Sequence, residues 1–342
     1  MRNLTGLSLL LVILLVSLSA YLRLAHSGIG CLDWPECYGR IGVPEVSATA
    51  DPTQPGSTSE KMARDAYQRI TAEAEQPLAW ATPLHRAVAS LLGIFIVFLA
   101  MLAFKNRQYR LVSITLLGLT VWLALLGLRS GSLHDPGVVM GNLLGGFSML
   151  GLLGWLWFRL SKPATPRFDA HDQKTAPPVS RLLLVSALVA LCLQIGLGGL
   201  TSANFAANSC KTLPDCHGGW LPGPDLMEAM DLSRHHEVTD SGQAIGGAER
   251  MAVHRAHRLM AIFTSVLVLM VAQLAMKRTG SWRRTSMVLI LLIIGEFSVG
   301  VAAVFNELPI GLAVAHNWLA GLLLLALVRL LDLAIPLNAK KR

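Results

Sequence analysis

Three histidines and four cysteines in this sequence have the type and spacing to do chemistry. His85 and His257 each precede an arginine, Arg86 and Arg258, at the start of an apolar stretch, and His316 lies about one turn inside the last such stretch. Imidazole is a standard axial ligand to heme iron, and facing helices of a four-helix bundle are a common place to build such a site. His257 and His316 open helices that start on the same side, so they reach similar depth and iron can lie between them. A lone histidine at a helix entrance is more simply read as bonded to a neighbour or to water. A pair at repeat-equivalent positions favours ligation, because ionisable side chains in apolar spans usually face the bundle interior.

The neighbours of these histidines leave alternatives open. Arg86 and Arg258 are planar donors suited to carboxylates such as heme propionates, or they snorkel to the interface. His254 shares a helical face with His257, and it either meets a propionate, moves a proton or sits at a wet helix entrance. Glu296, inside the seventh apolar run, reads as a proton relay or as an acid bonded to a neighbouring helix. Gln194 in the fifth run suits packing as well as function, beside Gly196, Gly198 and Gly199, which permit close helix approach.

Cys31 with Cys37 and Cys210 with Cys216 form two pairs of equal spacing, each following an apolar run. In an oxidising compartment such pairs become disulfides. Zinc prefers closer spacing and four ligands. A structural staple is preferred to a redox-active bridge at Cys31 and Cys37. Cys192 reads as a small buried residue.

These residues need elements to hold them. The chain has 342 residues, 53% hydrophobic and only 15% charged, with a mean hydropathy of +0.52; soluble chains carry about 25% charged residues. Eight apolar runs, near 4–24, 84–104, 111–128, 138–160, 182–203, 251–275, 286–304 and 310–333, have about the length that spans a bilayer. The first resembles a signal peptide, with small residues before Ala20, but it has a counterpart later in the chain and is read as an uncleaved span. With the N-terminus inside, the inner segments hold Arg2, then Lys105, Arg107 and Arg110, then Lys162, Arg167, Lys174 and Arg181, then Lys277, Arg278, Arg283 and Arg284, then Lys340, Lys341 and Arg342, against Asp169 and Asp172. The formal charge of +8 is therefore a topology signal that places both termini in the cytoplasm, and it implies no nucleic-acid partner. Trp34, Trp80, Trp220 and Trp318 fit an interfacial belt.

The order of features occurs twice: a span, a cysteine loop, a His-Arg helix, a short basic turn, a third span, and a fourth opening on Asn142 or His316. Four spans per half keep the halves in one orientation, as parallel repeats about an axis along the membrane normal. The expected fold is an all-α integral membrane protein of eight transmembrane helices, arranged as two pseudo-symmetric four-helix bundles. Residues 1–160 form the first bundle and 181–342 the second, and the polar, proline-containing segment 161–180 links them.

Taken together, DWPECYG at 33–39, LHR at 84–86, NLLGG at 142–146, LGGLTSANFAANSCKTLPDCHG at 197–218, HRAHR at 254–258 and AHNWLAG at 315–321 make the chain resemble the heme A synthase family over nearly its whole length. That family converts heme O to heme A for cytochrome oxidases. The resemblance implies heme b held by His257 and His316 in the second bundle, with His254 and Arg258 near it. It implies heme O as substrate in the first bundle, with His85 near the iron, and catalysis is expected in that half around His85, Arg86 and Asn142. The implied reaction oxidises the C8 methyl to a formyl group, with water as the oxygen source. Implied associates are heme O synthase, oxidase assembly proteins and the bilayer of a bacterial inner membrane. The cysteine pair of the first outer loop is associated in the family with the function of its half. Two positions depart from the family pattern: Asn142 stands where the family usually has a second histidine, and Thr82 where it has a carboxylate. The rival expectations are a non-catalytic b-type membrane cytochrome or heme-delivery factor, and, lower, a transporter. No span is visibly broken by Gly or Pro at mid-depth, which argues against the transporter.

Overall fold

The structure, a computed structural model, describes residues 1–26, 80–128, 136–162, 179–234 and 247–335. Its elements are α1 (Arg2–His26), α2 (Ala81–Lys105), α3 (Arg110–Leu128), α4 (Pro136–Ser161), α5 (Arg181–Ala203), a short α6 (Leu226–Ala229), α7 (Ala248–Met276), α8 (Gly280–Phe305) and α9 (Ile310–Ala334). All but α6 are long and apolar enough to cross a membrane, which gives the eight expected spans. Even the shortest, α3 with 19 residues, extends roughly 28 Å at 1.5 Å per residue, close to a hydrocarbon core. No strand occurs among the described residues; an isolated bridge joins Cys216 and Gly219.

The surface is what a bilayer selects. Leu10, Leu111, Leu128 and Leu291 point outward at 65%, 78%, 85% and 71% exposure; in water such positions on a bundle would be polar. Several hydroxyls within the spans bond back to their own helix, as Ser8 Oγ does to Leu4 O and Ser286 Oγ to Trp282 O. That is how a polar group is satisfied without water. Cys192 corrects an expectation: it is exposed on the outside of α5 rather than buried. A thiol is a small, weakly polar group that lipid tolerates.

The first four long helices close a ring in which α1 packs on α2, α2 on α3, α3 on α4, and α4 on α1. The last four close another: α5 on α7, α7 on α8, α8 on α9, and α9 on α5. The rings meet through α4 with α9, α1 with α9, and α4 with α5. Exchanging α1, α2, α3 and α4 for α5, α7, α8 and α9 maps this neighbour pattern onto itself, as an internal repeat requires. Small residues allow the contact between rings. A Cβ on Gly199 would lie 2.8 Å from Met140 Sδ, and one on Gly321 would lie 3.2 Å from Leu150 Cδ2. Leu150, Leu153, Leu323 and Leu327 fill the shared core.

At the basic end of the bundle, α9 finishes in a buried charge cluster. Asp332 is fully buried and pairs with Arg159 Nε at 2.8 Å, Lys162 Nζ at 3.1 Å and Arg329 Nη1 at 3.0 Å. Three of the cations in this region also reach the carbonyls that end α9: Lys162 donates to Asp332 O, Arg159 to Ile335 O, and Arg181 to Ala334 O. These carbonyls carry the negative end of the helix dipole and lack intrahelical partners. Burial pulls the Lys162 ammonium below the usual lysine range, and Asp332 pushes it back up. The cluster ties α4 and α5 to α9, and so ties the two rings together. Asp332→Asn keeps the volume but leaves buried cations without a counter-charge, which is expected to cost about 3–5 kcal/mol. Thermal unfolding in detergent should show a clearly lowered midpoint; an unchanged midpoint would contradict this role for Asp332.

Candidate functional site

In the second ring, α7 and α9 occupy opposite corners and α5 and α8 the other two. Asn306 caps α8, and Glu307 and Leu308 turn the chain at φ 57° and 64° before Pro309, the residue that precedes α9. Non-glycine residues rarely adopt that left-handed region. Here Leu308 is held by burial against Phe205 and Ala303 and by its N–H bond to Ala303 O at 2.7 Å. This short turn sets the depth of His316, in the second turn of α9. His257 lies in the third turn of α7. Their rings face each other across the ring of helices with centroids 6.3 Å apart and planes at 84°.

The other two corners hold these imidazoles from behind. Gln194 Nε2 on α5 lies 3.1 Å from His257 Nδ1. Glu296 Oε1 on α8 lies 3.3 Å from His316 Nδ1. One turn after each polar residue stands a glycine whose missing side chain leaves room for the ring. A Cβ on Gly198 would be 3.1 Å from His257 Cε1, and a Cβ on Gly300 would be 3.1 Å from His316 Cε1. The contacts from α5 and α8 therefore engage Nδ1 of both rings and leave Nε2 of both outside them.

This donor set selects a kind of metal. Two imidazole–metal bonds of about 2 Å, with about 1 Å from each nitrogen to its ring centre, span about 6 Å, which matches the observed separation. A bare ion would want further protein ligands. No group of three or more His, Cys, Asp or Glu residues suited to a metal ion occurs among the described residues. Two opposed imidazoles without a third such ligand beside them among the described residues suit a metal that brings its own equatorial ligands, as heme iron does.

A stapled loop lies over the N-terminal end of α7. Cys210 and Cys216 form the expected disulfide, and three arginines of α7 hold its backbone. Arg250 Nη2 donates to Phe205 O at 2.6 Å and Arg255 Nη2 to Cys216 O at 2.9 Å. Arg258 donates to Thr212 O, Asp215 O and Cys210 O at 2.7, 2.9 and 2.6 Å. The guanidinium of Arg258 thus binds loop carbonyls, where the sequence suggested a propionate or the interface. His254 is buried, with Nδ1 3.4 Å from Ser209 Oγ, and so lies against the same loop. A Cβ at Gly219 would lie 2.6 Å from the Arg255 guanidinium carbon, so a side chain there would displace that guanidinium.

In the first ring the structure is plainer. His85 is half-buried in the first turns of α2, Arg86 beside it is exposed, and Asn142 is half-buried near the start of α4. Cys31 and Cys37 lie outside the described residues. Sequence reasoning missed the roles of Gly198 and Gly300 and the loop contacts of Arg250 and Arg255. The signal for the first two was available: Gln194–Gly198 and Glu296–Gly300 repeat one interval on two helices.

The model of the COX15-CtaA family, cytochrome oxidase assembly proteins, matches residues 2–328. The chain belongs to this family. Curated relatives carry the name heme A synthase. That of Shewanella oneidensis is 34% identical over 323 residues, covering 94% of this chain and 92% of the relative. That of Rhizorhabdus wittichii is 24% identical over 340 residues, covering 93% and 89%, and that of a Methylobacterium species is 26% identical over 330 residues, covering 92% and 86%. Membership and the eight apolar helices together make the chain a multi-pass membrane protein.

The loop contacts yield a direct expectation. Arg258→Ala removes three charged-donor bonds to carbonyls and is expected to cost about 2–3 kcal/mol of local stability. Limited proteolysis followed by reducing electrophoresis should show faster cutting between residues 205 and 220. Unchanged protection would mean that the disulfide alone holds the loop.

Proposed function

We propose that this chain is a heme A synthase, an oxidoreductase of the bacterial inner membrane that oxidises the C8 methyl group of heme O to a formyl group for cytochrome oxidase. The observation that carries the reading is the facing pair His257 and His316, 6.3 Å apart with a polar partner behind each ring, in a chain whose near-full-length relatives are named for that activity. Heme b between these histidines would supply one-electron transfer.

The division of labour follows the two rings. Residues 1–160 would bind heme O as substrate, with His85 toward its iron and Arg86 and Asn142 beside it. Residues 181–342 would hold heme b, and 161–180 would link the halves. Water as the oxygen source requires that electrons and protons leave the methyl carbon. His254, buried one turn before His257, is assigned to the edge of the heme b site beneath the stapled loop. Arg258 would act through the loop carbonyls it holds. The Cys31–Cys37 pair would staple the matching loop of the first half. The excess of Lys and Arg at one end of the bundle supports a cytoplasmic side for that end and for both termini, which would put both heme sites toward the outer side. Heme O synthase and oxidase assembly proteins are the expected partners for delivery and release, and no nucleic acid is involved.

One observation favours a second reading. Asn142 and Thr82 replace a family histidine and carboxylate in the first half, and Asn is a poor iron ligand. That pattern suits a b-type cytochrome or heme-delivery factor that retains only the second site. Heme extraction with mass-resolved chromatography separates the two readings. The sample is cells that make this protein with a heme O synthase, in a host without heme A. Heme A or its hydroxylated precursor is expected. Heme b with unconverted heme O would overturn the enzyme and leave the cytochrome.

A further inference from the structure

We propose that Gln194 and Glu296 are positioning residues that fix the orientation and donor strength of two axial imidazoles, and that Gly198 and Gly300 are the sites on which those imidazoles rest. The inference rests on the reading that His257 and His316 hold heme b.

The arrangement is duplicated within one ring of helices. A polar residue on α5 or α8 meets Nδ1 of a histidine on the neighbouring α7 or α9. The glycine four residues later lies under that same imidazole. A Cβ added at either glycine would meet Cε1, Nδ1 and Nε2 at the same three distances, 3.1, 3.6 and 3.9 Å. Residues four apart share a helical face, so one face of each supporting helix supplies both the partner and the space. Glycines in membrane helices commonly serve helix–helix packing. Gly199 does so, against Met140 and Leu143 of α4. For Gly198, one residue earlier, the three atoms nearest its missing Cβ all belong to the His257 imidazole, and for Gly300 all three belong to that of His316. Packing alone does not explain a glycine opposite each histidine.

The hydrogen-bond chemistry points the same way. A metal-bound histidine carries its remaining proton on the other ring nitrogen and gives it to an acceptor, which fixes the ring and raises its basicity. Glu296 Oε1 lies 3.3 Å from His316 Nδ1, close enough to accept its proton after a small reorientation, and His316 Nδ1 has no other hydrogen-bond partner. Gln194 presents Nε2 to His257 Nδ1, while its Oε1 is buried without a partner. The two ends of an amide are nearly equal in size. A half-turn of the Gln194 amide would place Oε1 on Nδ1 and satisfy the orphaned atom at the moment that Nε2 of His257 is taken by iron. The two ligands then differ: one gives its proton to an amide oxygen, the other to a carboxyl oxygen. Hydrogen bonding behind an axial ligand is one of the means by which a protein sets a heme potential.

The test uses the purified full chain with its resident heme. Glu296→Ala and Gln194→Ala remove the acceptors, and Glu296→Gln and Gln194→Glu keep one at each position. The readouts are heme retention, the midpoint potential from an optical redox titration, and the low-spin ferric spectrum. Each Ala variant is expected to lower heme affinity about tenfold or more. Each should also raise the midpoint potential, because a less basic imidazole favours the ferric state less. A tenfold change in the ratio of ferric to ferrous affinity corresponds to about 59 mV. The acceptor-keeping variants are expected to retain heme. Gly198→Ala and Gly300→Ala should alter the low-spin spectrum by tilting one ring. His257→Ala and His316→Ala separate the failures. If they abolish the low-spin heme while both acceptor-removing variants match wild type in affinity and potential, this inference falls and the ligand assignment stands. If they retain the low-spin heme, the ligand assignment falls and this inference falls with it.

Discussion

Two imidazoles face each other 6.3 Å apart inside a ring of four apolar helices, and much of the surrounding structure serves to make that tolerable. Polar groups in a bilayer are costly unless they are satisfied within the protein. Each histidine here has one nitrogen against a polar side chain from the adjacent helix and the other turned away from that contact. The glycines behind the rings, the tight α8–α9 turn and the loop braced over α7 all contribute to holding these two side chains at one depth.

The same chain handles charge differently at its two ends. At the basic end, Asp332 gathers Arg159, Lys162 and Arg329 and fastens the two rings together. At the other end, arginines of α7 bind carbonyls of an irregular loop that a disulfide already closes. Irregular backbone near a membrane surface needs such donors, because its carbonyls otherwise go unpaired. The site thus lies between a rigid cap and a cross-linked base, with its opposed imidazoles supported from α5 and α8.

The spans were legible because bilayer hydrophobicity is a strong signal, and the helix ends were less so. The seventh span read as 286–304, whereas α8 is Gly280–Phe305. Trp282, Arg283 and Arg284 continue the helix past the apolar run, which hydropathy cannot register but snorkelling side chains permit. The pairing of His257 with His316 was legible because the repeat placed both at helix starts on one side. The role of Arg258 was not, since its partners are backbone carbonyls of a loop that sequence alone does not fold. Gly198 looked like a packing glycine because its partner depends on which helix stands next to α5. Cys192 looked buried because sequence shows apolarity but not which face of a span meets lipid.

Electron paramagnetic resonance of the oxidised, purified protein tests the central claim most directly. Two imidazoles with near-perpendicular planes should give a low-spin ferric signal of the highly anisotropic type, from one such heme per chain. A high-spin ferric signal, or a protein purified without heme, would contradict the account.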